Sequence, residues 1–136
     1  MTVYTGTSTD YKDLLADLKT ALETEGWTTN KEETIDGEDY KYFQSPNIVV
    51  GGSNVNAYIN IRTISNVTDG YFNWLLYGAT AFDGGSSFET QPGQYVLNTT
   101  GSGSTLEYQN PTLTLHDTTI NYWFVINDRR VILLGS

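Results

Sequence analysis

The sequence predicts an α+β domain: one N-terminal amphipathic helix packed on a mostly antiparallel β-sheet. Three observations carry that prediction. One apolar stripe at helical spacing occupies residues 11–22. A period of two takes over after Gly26. Short Gly- and Asn-containing turns then separate the alternating runs. A β-sandwich with one attached helix is the nearest alternative. The 136 residues read as a single domain, 1–136, with no internal repeat.

The helix comes first. Tyr11, Leu14, Leu15, Leu18, Ala21 and Leu22 fall on one face. Ser8, Thr9 or Asp10 caps its start, because a side-chain oxygen there reaches the free N–H groups of the first turn. Asp13 and Asp17 suit the positive end of the helix dipole. Gly26 stops the helix, being free to turn left-handed, and Trp27 packs back on it.

Strands follow. Residues 28–35 and 40–44, joined at Asp36-Gly37, read as a hairpin that Pro46 ends. Ile48 to Val50 is a short strand before Gly51-Gly52-Ser53-Asn54. Val55, Ala57, Ile59 and Ile61 alternate with polar residues as a half-buried strand. After Asp69-Gly70, Tyr71 to Phe82 reads as a long strand. Phe72 and Trp74 lie on one of its faces and Tyr71 and Tyr77 on the other, so both faces need a cover. Asp83 to Ser87 and Pro92-Gly93 are loops, and Asn98 to Thr105 is a low-complexity surface loop expected to be mobile or ordered by a partner. Thr112 to His116 alternates again. Ile120 to Ile126, the turn Asn127-Asp128 and Arg130 to Leu134 close the chain as a hairpin.

Composition excludes several function classes. Sixteen acids against seven basic residues leave a net charge of −9. Nucleic acid and anionic membrane both require basic surfaces, so neither is an expected partner. With no cysteine there is no disulfide, zinc–thiolate or cysteine-based chemistry. The first residues carry no signal-peptide pattern, and no run is long enough for a membrane helix. Residues 1–44 hold ten acids and four lysines, and residues 45–136 hold six acids and three arginines.

Catalytic patterns are weak. His116 beside Asp117 is a base-like pair with no nucleophile motif near it in sequence. Glu32, Glu33, Asp36, Glu38 and Asp39 cluster on one hairpin, where they read as a solvated strand edge. Calcium is the minor alternative there, without EF-hand spacing. The glycine pairs lack a phosphate-loop lysine. No catalytic residue, metal or cofactor is therefore expected. Arg129 and Arg130 follow a turn, and adjacent strand residues point to opposite faces. One arginine is thus expected to approach the packed side and to pair with an acid there or on a neighbouring subunit.

The segment Asn121-Tyr122-Trp123-Phe124-Val125-Ile126-Asn127-Asp128-Arg129-Arg130-Val131-Ile132-Leu133-Leu134 resembles one found in a group of tailed-bacteriophage virion proteins encoded among tail and baseplate genes. Residues 18–30, Asn60-Ile61-Arg62-Thr63 and Phe88 to Gly93 are similar to further stretches of that group. The turn here is Asn127-Asp128 where the group has Asn-Gly, and longer members continue beyond this strand. The resemblance implies a non-enzymatic virion structural protein of the tail, baseplate or head–tail connection. Its partners would be copies of itself and other virion proteins. The hairpin residues Tyr122, Trp123, Phe124, Arg129 and Arg130 are the expected interface. The alternative function is a carbohydrate-binding module that recognises a host glycan with surface aromatics.

Overall fold

The computed structural model describes residues 1–94, 112–128 and 130–136. The predicted loop Asn98–Thr105 and Arg129 lie outside the described residues. The chain folds as predicted into one helix on antiparallel sheet structure, with ten strands among the described residues. The strands form three sheets. One has three strands in the order β1 (Thr2–Ser8), β9 (Ile120–Ile126), β10 (Val131–Gly135). A second has five, ordered β2 (Thr28–Ile35), β3 (Glu38–Gln44), β6 (Tyr58–Asn66), β7 (Tyr71–Ala79), β8 (Thr112–Leu115). The third is the ribbon β4 (Ile48–Val50) and β5 (Ser53–Val55).

The helix α1 spans Tyr11–Thr24 and starts at Asp10, whose carboxylate accepts from the N–H groups of Lys12 and Asp13, both at 2.8 Å. It ends as predicted at Gly26, with φ +84°. The Trp27 N–H returns to the Leu22 carbonyl at 3.0 Å and the Gly26 N–H to that of Glu23 at 3.1 Å. That pair of bonds satisfies carbonyls the last turn leaves open. The predicted stripe is buried throughout, Leu15 and Leu18 completely.

That stripe packs against both larger sheets. Phe43, Ile61, Trp74 and Leu115 meet it from the five-stranded sheet, and Ile120, Phe124 and Ile126 from the three-stranded one. Two indoles tie the layers. Trp74 Nε1 donates to the Tyr11 carbonyl at 2.7 Å, and Trp27 Nε1 donates to that of Asn127 at 3.0 Å. Glu32 on β2 takes the ammonium groups of Lys19 on the helix and Lys41 on β3. Those two hydrogen bonds, Lys19 first, hold its carboxyl below the usual carboxylate range.

Several elements depart from the sequence reading. β1 was not anticipated; it pairs along its whole length with β9 at the other end of the chain. The predicted strand from Val55 to Ile61 is broken. Ser45 accepts the Ala57 N–H on its hydroxyl and the Asn56 amide on its carbonyl, both at 2.8 Å, which separates β5 from β6. The long strand from Tyr71 stops at Ala79, because the Thr80 N–H bonds to the Pro92 carbonyl at 2.9 Å. The chain there leaves the ladder to cross the sheet. Both faces of β7 are covered: Trp74 lies under the helix, while Leu75 and Tyr77 lie under Phe88 and Phe82 from residues 80–94.

Leu18→Ala is expected to lower stability by roughly 2–5 kcal/mol in denaturant titration, the range for emptying a fully packed site. Glu32→Gln tests the bridge between helix and sheet. The folded pKa of Glu32 lies below the unfolded one, so its contribution is complete above about pH 4.3 and is lost as pH falls through the folded pKa. Unfolding titrations at two pH values are expected to show the variant weaker at neutral pH, by less than ~1 kcal/mol for so exposed a carboxylate, and level with the parent in acid.

Candidate functional site

β9 is the central strand of its sheet, and its alternation divides the motif residues between two environments. Tyr122, Phe124 and Ile126 point at the helix. Phe124 is 1% exposed, and Tyr122 stacks on it with ring centroids 4.2 Å apart and planes within 13°. Burial, then the Asp17 and Asp13 carboxylates, pushes the Tyr122 phenol up. Gly6 on β1 lies opposite Tyr122, and a Cβ there would come within 2.5 Å of the phenolic oxygen. Of the predicted interface residues, Tyr122 and Phe124 therefore belong to the core side of the hairpin.

Trp123 points outward. It lies between Thr5 on β1 and Leu134 on β10, and the next row is Val3, Val125 and Ile132. Val3 is 60% exposed, Leu134 58%, Ile132 44% and Trp123 43%. These two rows hold no ionisable side chain, although the chain carries a net charge of −9. Their strands are held by backbone ladders on both sides of β9, so the face is preformed. An apolar, charge-free face of this kind is what protein interfaces bury at their centres.

Arg130 departs from the sequence reading. It precedes β10 instead of lying within a strand, and it is exposed. Its N–H donates to Asn127 Oδ1 at 2.8 Å and its carbonyl accepts from the Asn127 N–H at 3.0 Å. This side-chain-capped turn keeps Arg130 out of the packed layer, where an arginine was expected to need an acidic partner. Among the described residues it forms no ion pair.

The other candidates separate in space. Glu32 and Glu33 point to opposite faces of an edge strand. Glu32 pairs with Lys19 and Lys41, while Glu33 pairs with Lys31 at 2.9 Å and accepts the Tyr42 hydroxyl at 2.9 Å. Among the described residues no three His, Asp or Glu side chains converge as a metal site. His116 and Asp117 are exposed past the end of β8.

Six of the tyrosines and tryptophans that suggested a sugar platform are buried: Tyr11, Trp27, Tyr40, Tyr42, Trp74 and Tyr77. Tyr40, Tyr42 and Tyr77 surround Phe88 edge-on, at centroid distances of 5.4, 5.9 and 4.9 Å. The Arg62 guanidinium donates to the Tyr40 hydroxyl at 2.8 Å and reaches Glu89 at 3.4 Å. The Gln91 amide pins the covering segment by accepting from the Asp83 N–H and donating to the Asp83 carbonyl, both at 2.9 Å. Tyr42, so enclosed and facing Glu33, holds its proton far above the normal phenol range, with burial the larger cause.

Two features of the surface escaped the sequence reading. The ribbon β4–β5 pairs with no other described strand and exposes Val49 (62%), Val50 (60%) and Val55 (40%). A small crevice of about 50 Å³ opens between β8 and β10, floored by Leu14, Trp74 and Phe124. The Val-Thr-Tyr richness of residues 2–5 was the available signal for β1, and with it for Val3. No local pattern marks the crevice, which arises where two sheets meet.

Gly6→Ala is expected to displace the Tyr122 ring and to cost about 1–3 kcal/mol in thermal or denaturant unfolding, as overpacking does.

No protein-family model matches the chain, and no curated protein sequence matches it.

Proposed function

We propose that this chain is a non-enzymatic structural subunit of a tailed-bacteriophage virion, in the tail, baseplate or head–tail connection, and that it works by assembling with copies of itself and with other virion proteins. The observation that carries the reading is the outer face of the three-stranded sheet. Val3, Trp123, Val125, Ile132 and Leu134 sit side by side on a rigid ladder with no charge among them. Exposing such a face costs free energy that association recovers, at roughly 25 cal/mol per Å² of apolar surface removed from water. The phage assignment rests on the resemblance of residues 121–134. The same residues build the face: positions 123, 125, 132 and 134 point outward, while 122, 124 and 126 fasten the strand to the core.

The alternative glycan reading loses support from the burial of Tyr40, Tyr42 and Tyr77 beneath the segment 80–94. The enzyme reading gains none from His116 or from the acidic hairpin, whose groups point apart.

Trp123→Asp places a carboxylate at the centre of the face without touching the core. Mass photometry is expected to show wild-type oligomers and a loss of at least ~10-fold in apparent association, as for a central interface anchor. Circular dichroism is expected to remain that of the folded domain. An unchanged oligomer distribution in the variant would remove the face from the assembly. Peptide mass spectrometry of purified particles tests the virion assignment, which fails if the chain is missing from them.

A further inference from the structure

We infer that segment 80–94 of one copy docks on the five-stranded sheet of a second copy in place of that copy's own segment, so that neighbouring subunits exchange it; this rests on the assembly reading above and names the contact that links copies. The segment is a self-contained unit. The Thr80 N–H donates to the Pro92 carbonyl at 2.9 Å and closes its neck. Inside, the Gln91 amide donates to the carbonyls of Asp83 at 2.9 Å and Ser86 at 3.1 Å. The Asp83 carboxylate accepts from the Gly85 N–H at 2.9 Å and the Ser86 hydroxyl at 2.8 Å. A compact loop with joined ends and its own bonds can leave a surface as one piece.

Its hold on the sheet is of a different kind. Among the described residues it adds no strand to the five-stranded ladder. The contact is made by side chains, with Phe82, Phe88 and Glu89 reaching the sheet. Two cross-strand rows receive them, Tyr42–Asn60–Tyr77 and Tyr40–Arg62–Leu75. Phe88 is 2% exposed among the three tyrosine rings, and its own ring lies 5.8 Å from the Arg62 guanidinium that Glu89 reaches. The surface is thus built to take one aromatic ring followed by one carboxylate. The closed fit is incomplete. Asn60 is 2% exposed, and its amide nitrogen is buried without a hydrogen-bond partner. The amide nitrogen of Gln94, at the end of the segment, is buried in the same way. Each is a cost that the arrangement within one chain carries.

The occupant follows from the contact itself. In the whole sequence an aromatic residue is followed directly by an acid only at Phe82-Asp83 and Phe88-Glu89, both in this segment. Every copy carries one such segment and one surface that fits it. Exchange replaces each contact by an identical one, the low-barrier route by which protomers trade an element. The uncharged outer face of the three-stranded sheet supplies the association that brings copies together. Charge points the same way. Glu89 on Arg62 joins opposite charges, whereas most other approaches of two chains of net charge −9 oppose like ones.

Isotope mixing tests the exchange. Arg62→Lys keeps the positive charge and offers an amine that a water-soluble carbodiimide couples to the Glu89 carboxylate; the amide forms as one carboxylate oxygen leaves on the carbodiimide, which becomes the urea. Unlabelled and heavy-nitrogen chains are mixed dilute, concentrated until mass photometry shows assembly, and coupled. Mass spectrometry of the joined 62–89 peptides is expected to find light–heavy pairs at about half of the total, the share that random mixing of copies gives. Charge exchange supplies a second readout. Arg62→Glu and Glu89→Arg chains are each expected to assemble at least ~10-fold more weakly than wild type and to recover on mixing, because only exchange restores opposite charges at both contacts. If the wild-type chain assembles but joined peptides are only of like mass, or mixing the charge variants restores nothing, the exchange is overturned and the assembly reading stands. A wild-type chain that stays monomeric at every concentration overturns both.

Discussion

One helix has to serve two sheets. Among the described residues the three-stranded and five-stranded sheets share no ladder, so nothing but side chains joins them. Leu14, Leu15, Leu18 and Leu22 fill the space where they converge, and the indoles of Trp74 and Trp27 fix the helix to β7 and to the β9–β10 turn. A buried indole N–H without a carbonyl is costly, so each tryptophan dictates where a backbone oxygen must lie. Tyr11 and Asn127 supply those oxygens from elements far apart in sequence. The arrangement commits the one α-helix among the described residues to the inner faces of both sheets. Their outer faces need other solutions.

Those solutions differ between the two sheets. The outer face of the five-stranded sheet is closed by the chain itself, with Phe88 set among three tyrosines and Arg62 held by Tyr40 and Glu89. The outer face of the three-stranded sheet has no such cover among the described residues, although its side chains are as apolar. Electrostatics follows the same division. The lysines lie where the acids are dense, so Lys19 and Lys41 share Glu32 and Lys31 takes Glu33. The uncovered face and the ribbon carry no charge. For a chain with a large acidic surplus, like-charge repulsion between copies is weakest at surfaces left neutral.

How much of this was legible depends on range. The helix, both of its ends, the Asp36-Gly37 turn and the closing hairpin all rest on interactions within a few residues, and each was readable. Asp36 even takes the positive φ that its turn demands, at 52°. β1 was missed because its partner lies more than a hundred residues away, and residues 2–8 contain no alternation of apolar with charged residues. The break at Asn56-Ala57 was missed because Ser45, eleven residues earlier, imposes it. Alternation in β9 correctly separated Tyr122, Phe124 and Ile126 from Trp123 and Val125. It did not tell which set faces inward, since both are apolar. Only the position of the helix decides that, and it places Phe124 in the core with Tyr122 half-buried against it. Arg130 was misplaced for a related reason: a strand was assumed where the Asn127 side chain instead closes a turn.

The distinctive segment therefore encodes two requirements in one strand. Even positions of β9 must be large and flat enough to stack under the helix, as Tyr122 does on Phe124, and they restrict β1 to glycine at position 6. Odd positions are free of that constraint. A soluble monomer would place polar residues at them, as antiparallel sheets with one wet face ordinarily do. Trp123 and Val125 instead continue the apolar character outward, and β1 and β10 match them with Val3, Ile132 and Leu134 from distant parts of the chain. Agreement among three strands about a solvent-facing row is not explained by packing on the helix, since Val3, Trp123, Val125 and Ile132 lie outside the core cluster that holds the stripe. It is the pattern that the proposed assembly face requires. Because the ladder separates the two sets of positions so cleanly, the fold and the proposed assembly would respond to different residues of the same strand.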